Sequence, residues 1–165
     1  NKGYDLLQRG YDQLIHDVCM PNLPVTLLLD RAGLVGEDGE THHGVWDLAS
    51  TLPVPNLTVL APRDIGELKT MLRWTASHDG PCVIRYGRTS VDLSARYPSA
   101  ETFKPGKWET LEQGSDCTLL AMGSMVEITI AVRDMLAKQG IHARLVNASS
   151  VKPMDEALLR EIADK

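Results

Sequence analysis

LTVLAPRDIGELKTMLRWTASHDGPCVIRY, residues 57–86, decides the fold. Its two ends, Leu57–Ala61 and Cys82–Tyr86, are apolar runs of strand length, the pattern of strands buried on both faces of a parallel sheet. Between them Asp64 stands three residues before Glu67, a carboxylate version of the capping box, and Leu68, Met71, Leu72 and Thr75 then recur at helical spacing up to Ala76. Strand, helix and strand in that order make one unit of an α/β sheet.

Working outward, Val25–Leu29 is a third run of the same kind and predicts a third doubly buried strand. Leu7, Tyr11, Leu14, Ile15 and Val18 step by three and four, which predicts an amphipathic helix over Leu6–Cys19 that ends before Pro21. Thr89–Gly106 carries Ser, Pro and Gly with weak periodicity and reads as a linker. The pattern then restarts. Asp116–Met122 reads as a strand and Gly123-Ser124 as a turn; Val126, Ile130, Val132, Met135 and Leu136 mark a helix closed by Gly140. Ala143–Val146 is the next strand, and Pro153-Met154-Asp155 introduces a last helix carrying Leu158, Leu159 and Ile162. The second half is therefore another α/β unit, and no internal repeat is present.

The 165 residues are 43% hydrophobic and 24% charged, which fits one globular domain or two small ones and excludes disorder, collagen and coiled coil. With 17 basic and 22 acidic residues the formal charge is −5, and no run of like charges occurs, so neither nucleic acid nor an anionic membrane is an expected partner. The longest apolar stretch, Val25 to Leu29, falls far short of the roughly twenty residues a bilayer span requires. Three cysteines, Cys19, Cys82 and Cys117, lack C-x-x-C spacing; neither a disulfide framework nor a zinc site is expected, and a reducing, cytoplasmic setting is. Cys82 and Cys117 sit in strand runs and read as inert core thiols. The chain opens at Asn1 without Met or a signal-peptide pattern and closes at Lys165 inside a helical pattern, so a piece of a longer protein is expected.

One segment stands apart: DRAGLVGEDGETHHG, residues 30–44. Its four glycines permit positive φ and close approach of backbone to a ligand, and it follows the carboxyl end of the Val25–Leu29 run, where parallel α/β sheets bind ligands. Arg31 offers a fork for phosphate or carboxylate, Asp38 an acceptor, and His42 a group that moves protons near neutral pH. The same residues also read as a tight surface loop with its charges in water. The adjacent His42 and His43 make a weak metal pair, and neither G-x-G-x-x-G nor G-x-x-x-x-G-K-[ST] occurs. Arg85 and Arg88 follow the third strand at the same sheet end, where Arg88 approaches Arg31 if the strands are parallel; both also read as solvent-facing. Arg9 lies among polar neighbours on the first helix and reads as solvated, and His16 with Asp17 reads as a structural pair.

DRAGLVGEDGETHHGVWDL, preceded by LQRGYDQLIHDV and followed by PNLTVLAPRD and DGPCVIRYGR, closely resembles the 1-deoxy-D-xylulose-5-phosphate synthase family, thiamine-diphosphate enzymes of the transketolase superfamily. The resemblance extends from Leu7 to Lys165. It implies an α/β fold: residues 1–96 as the latter part of a pyrimidine-binding domain with a parallel sheet, 97–105 as a linker, and 106–165 as the first part of a transketolase C-terminal-like α/β domain. It implies a transferase of isoprenoid and thiamine biosynthesis that decarboxylates pyruvate and joins the two-carbon unit to D-glyceraldehyde 3-phosphate, as a homodimer, in the cytoplasm or a plant plastid stroma. Arg31 and Arg88 match the arginines that hold the acceptor phosphate, Asp38 and His42 match catalytic residues beside the cofactor adduct, and Arg9 matches an arginine of the cofactor pocket. The cofactors implied are thiamine diphosphate and Mg2+, with the metal ligands and the activating glutamate in an N-terminal domain upstream of Asn1, so this chain alone is expected to be inactive. Two departures stand out: the family's Tyr-Ser-Thr-Phe reads Gly3-Tyr4-Asp5-Leu6, and its RYPR reads Arg85-Tyr86-Gly87-Arg88. The alternatives are another superfamily member, transketolase or a 2-oxo-acid dehydrogenase β subunit, and a non-catalytic dimerisation module.

Overall fold

The first helical segment turns at Gly10 and continues as α1 (Tyr11–Gln13), which runs straight into a π-helical stretch, Leu14–Cys19. The wide turn is visible in its hydrogen bonds: Met20 N donates to Ile15 O and Leu23 N to Val18 O, both at 2.9 Å. The predicted continuous α-helix over Leu6–Cys19 is thereby corrected. Leu14 and Cys19 are both buried although five residues apart, a spacing that shares one face only when the helix is under-wound. The computed structural model describes residues 7–36, 42–88 and 90–164.

Next come β1 (Thr26–Leu29), α2 (Asp47–Thr51), β2 (Thr58–Leu60), α3 (Ile65–Thr75) and β3 (Cys82–Arg85). β3 lies between β1 and β2 and runs parallel to both, so the β2, α3, β3 unit is the crossover that residues 57–86 predict. Asp64 caps α3 by accepting from Glu67 N at 2.8 Å, while Glu67 reaches back to Arg63 N at 2.6 Å, one residue earlier than a standard box. Val59 and Val83 face the N-terminal helix with Leu29, Val54 and Leu57, whereas Leu60, Cys82 and Ile84 face Met71 of α3. Burial on both faces therefore holds for β2 and β3. It fails for β1, an edge strand whose Leu28 is 48% exposed.

The second sheet contains β4 (Glu109–Glu112), β5 (Cys117–Ala121) and β6 (Ala143–Asn147), in the order β4-β6-β5. α4 (Met125–Ala137) crosses from β5 to its parallel neighbour β6 and packs Val126 and Ile130 against Leu145 and Tyr97. β4 pairs antiparallel with β6, so this sheet is mixed rather than parallel. Cys117 is exposed on the edge strand β5, which corrects its assignment to the core. Cys82 is fully buried, and burial pushes its thiol up to about 12, far from the thiolate needed for reactivity.

Only Ala148 and Ser149 separate β6 from β7 (Ser150–Lys152), yet β7 belongs to the other sheet, antiparallel to β2. Ala148 N donates to Ala121 O at 2.7 Å and Ala61 N donates to Ser149 O at 2.8 Å, one bond into each sheet. Lys152 Nζ then reaches Leu52 O at 2.9 Å. α5 (Glu156–Ala163) follows, capped by Asp155, which accepts from Leu158 N and from Trp108 N, both at 3.1 Å.

The predicted linker holds no helix or strand among its described residues, but it is packed. Ile65 N donates to Val91 O at 3.1 Å, and the Tyr97 hydroxyl donates to Glu112 at 2.7 Å. Arg63, 2% exposed, donates to Tyr97 O at 3.0 Å and pairs with Glu109 of β4. Near the surface, His16 pairs with Asp12 one turn back at 3.6 Å, rather than with Asp17.

Candidate functional site

β1 and β3 are in register to their last residues, Leu29 opposite Arg85, so both chains leave the sheet at the same end. Pairing continues past the strands: Tyr86 N donates to Leu29 O at 2.9 Å and Ala32 N to Tyr86 O at 3.0 Å. The loop that begins Asp30-Arg31 is thus tied alongside Tyr86-Gly87-Arg88. Parallelism of β1 and β3 brings the two predicted arginine-bearing loops to one place.

The turn after β1 is sharp. Arg31 sits at φ +62 and Gly33 at φ +81, the left-handed region that is costly for arginine and open to glycine. Gly44 closes the loop: its N donates to Arg31 O at 3.0 Å and its carbonyl accepts from Gly33 N at 3.3 Å. A Cβ on residue 44 would come within 2.6 Å of Arg31 O, so the return strand of the loop can carry only glycine there.

Arg31 is half-buried and pairs with the neighbouring Asp30 carboxylate. Arg88 is exposed and lines a cavity of about 410 Å3 with Ala32, Val35, Gly36, Gly87 and Ser124. Arg31 is not among the residues of that wall. The fold thus brings the two loops to the same end of the sheet. His42 is half-buried where the loop returns, and Asp38 lies outside the described residues. His43 has a local task that its sequence position did not reveal: its Nδ1 accepts from Val35 N at 2.8 Å, so the neutral ring carries its proton on Nε2. Among the described residues Arg9 has no hydrogen bond or ion pair and is exposed. Among those residues, too, no group of three His, Cys, Asp or Glu side chains could hold a metal ion.

Ser124 belongs to the second half of the chain and was missed as a site residue. Its backbone is brought in by Gly123, at φ +57, whose N donates to Ala61 O at 3.3 Å at the end of β2. The Ser124 side chain makes no capping bond to α4. The Gly123-Ser124 turn is visible in the sequence, but its place beside Arg88 follows only from packing of the two halves.

Residues 4–92 match the family described as transketolase, pyrimidine binding domain, and residues 106–165 match transketolase, C-terminal domain. The chain belongs to the transketolase family. Among its transketolase-family relatives, the 1-deoxy-D-xylulose-5-phosphate synthase of Pelotomaculum thermopropionicum is 47% identical over 155 residues, 93% of this chain and 24% of the relative. That of Clostridium acetobutylicum is 43% identical over 157 residues, 95% of this chain and 25% of the relative. The chain thus spans about a quarter of the length of these curated relatives. A solved structure described as a split gene transketolase, inactive beta4 tetramer, superposes with a TM-score of 0.88 at 31% identity, covering 98% of this chain and 52% of that one. The α/β architecture is that of the transketolase pyrimidine-binding and C-terminal domains. No described helix is long and apolar enough to cross a membrane.

Proposed function

We propose that this sequence is part of a 1-deoxy-D-xylulose-5-phosphate synthase, which condenses pyruvate, with loss of carbon dioxide, and D-glyceraldehyde 3-phosphate in isoprenoid biosynthesis. The observation that carries the proposal is the pairing of the Arg31 and Arg88 loops at the carboxyl ends of parallel β1 and β3, in a chain 43–47% identical to enzymes of that name. Arg31 and Arg88 hold the acceptor's phosphate, as planar forks suited to bidentate contact with its oxygens. His42 and Asp38 hold and move protons at the substrate carbonyl and carboxylate, and Arg9 belongs to the cofactor pocket. Residues 1–96 form the latter part of the pyrimidine-binding domain, 97–105 the connector and 106–165 the first part of the C-terminal domain.

Thiamine diphosphate supplies the electron sink for decarboxylation in this reading, with the protein positioning and protonating. Leu7, Gln8, Tyr11 and Ser50 line a cavity of about 210 Å3, a mix of apolar, aromatic and polar side chains that suits the edge of a flat heterocycle. In this reading the ligands of Mg2+ and the diphosphate belong to the rest of the enzyme. The complete protein is a homodimer of the cytoplasm, or of the plastid stroma in a plant, and this stretch by itself is not a full catalyst. The relative described as an inactive tetramer, half of whose chain this sequence covers, supports that last point.

The test is kinetic. In the full-length enzyme carrying this sequence, Arg31→Ala removes a charge-assisted contact and is expected to raise KM for glyceraldehyde 3-phosphate by about tenfold or more, leaving KM for pyruvate within about twofold. Equal effects on the two substrates would sink the phosphate assignment.

A further inference from the structure

Beneath the Arg31 loop, Asp47 and Arg85 face each other across an imperfect contact. Asp47 is 2% exposed, and its Oδ2 lies 3.6 Å from Arg85 Nε. That is too long for a hydrogen bond, and neither atom has another partner. A buried ion pair with unmet hydrogen-bonding capacity is a poor source of stability, because desolvation offsets the attraction. The far side of the guanidinium shows what the pair does. Arg85 Nη2 donates to Gly44 O at 3.3 Å, and the same carbonyl accepts from Gly33 N, while Gly44 N donates to Arg31 O. A continuous line of contacts runs from Asp47 through Arg85 and Gly44 to the peptide of Arg31, the residue held at φ +62. Asp47 also shapes the space, since a Cβ on residue 44 would meet its Oδ2 at 2.5 Å.

We propose that Arg85 and Asp47 are positioning residues: they hold Gly44 in place, and through it the left-handed conformation from which Arg31 leaves the sheet. The guanidinium is needed because one rigid plane addresses a carboxylate with Nε and a carbonyl with Nη2, whereas a lysine ammonium is a single point. What the loop grips rests on the function proposed above; how it is held does not.

Amide hydrogen exchange on the full-length enzyme carrying this sequence tests this. Arg85→Lys keeps the charge and is expected to speed exchange of the Gly33 and Gly44 amides by about tenfold or more while leaving Val59 and Val83, in the core sheet, at wild-type rates. Asp47→Asn keeps the volume and is expected to give the same loop-confined pattern at about threefold, which reads the loop separately if Arg85→Lys loosens the whole domain. Loop amides at wild-type rates in a folded variant, or loop and core amides accelerated in parallel in both variants, would overturn the assignment. Inorganic phosphate added to the wild-type enzyme separates the two readings. Extra protection of Gly33 and Gly44, together with a loop-confined pattern in the variants, supports both. A loop-confined pattern in the variants without that protection supports the positioning role and counts against the anion site.

Discussion

At the scale of single residues, Asp47 carries a signature that pH can read. Burial pushes its carboxyl above the ordinary aspartate value of 3.8, and Arg85 only partly opposes this. A raised folded value means the native state keeps a proton that the unfolded chain has released. This contribution is therefore complete below 3.8 and is lost as pH climbs through the raised folded value. Asp47→Asn abolishes the titration, so the melting temperature of wild type minus that of the variant is expected to fall as pH rises above 3.8. Parallel curves across that window would remove Asp47 as the source. Asp47 was not legible as part of the site, and Arg85 was placed at the right sheet end without its task being readable. Asp47 sits in VWDL at a helix start, a position with no chemical signal, and the contacts of Arg85 with Asp47 and Gly44 emerge only once the fold brings the three together. The nearness of the Arg31 and Arg88 loops was legible because each arginine lies two residues beyond a readable strand run.

Among elements, α3 shows how much local sequence can specify. Its cap, Asp64, is buried and satisfies Glu67 N, so Asp64→Ala is expected to cost about 1–2 kcal/mol in a chemical denaturation experiment. A change under about 0.3 kcal/mol would show that Glu67 and its bond to Arg63 N hold the turn unaided. α4 and α5 were readable for related reasons: periodic apolar residues in both, a capping Asp155 for α5, and for α4 a glycine at φ +80 beyond its end. β4 and β7 were not. Glu109–Glu112 reads ETLE and Ser150–Lys152 reads SVK, short segments whose strand character comes from their partners β6 and β2. The π-helical widening at Leu14–Cys19 was likewise hidden, because its apolar residues also fit α spacing.

For the molecule as a whole, the two halves are one mechanical unit. β7 closes the edge of the first sheet, and Arg63 links the end of β2 to β4 and the connector. Calorimetry is accordingly expected to show a single transition whose van't Hoff and calorimetric enthalpies agree. Two resolved peaks would mean that β7 and Arg63 do not couple the halves. Composition and periodicity predicted two α/β units joined by a linker, and both units are present. What they could not convey is that the chain crosses back, since that depends on an unpaired edge at β2 waiting for a partner about ninety residues later. The crossing has a practical reach for anyone recombining this gene with a homologue's. A chimera joined in the visible connector would supply the first sheet with a foreign edge strand, and so would one joined between Asn147 and Ser150, whereas a splice beyond Lys152 would take every strand of both sheets from a single parent, and it is there that the natural grain of the protein runs.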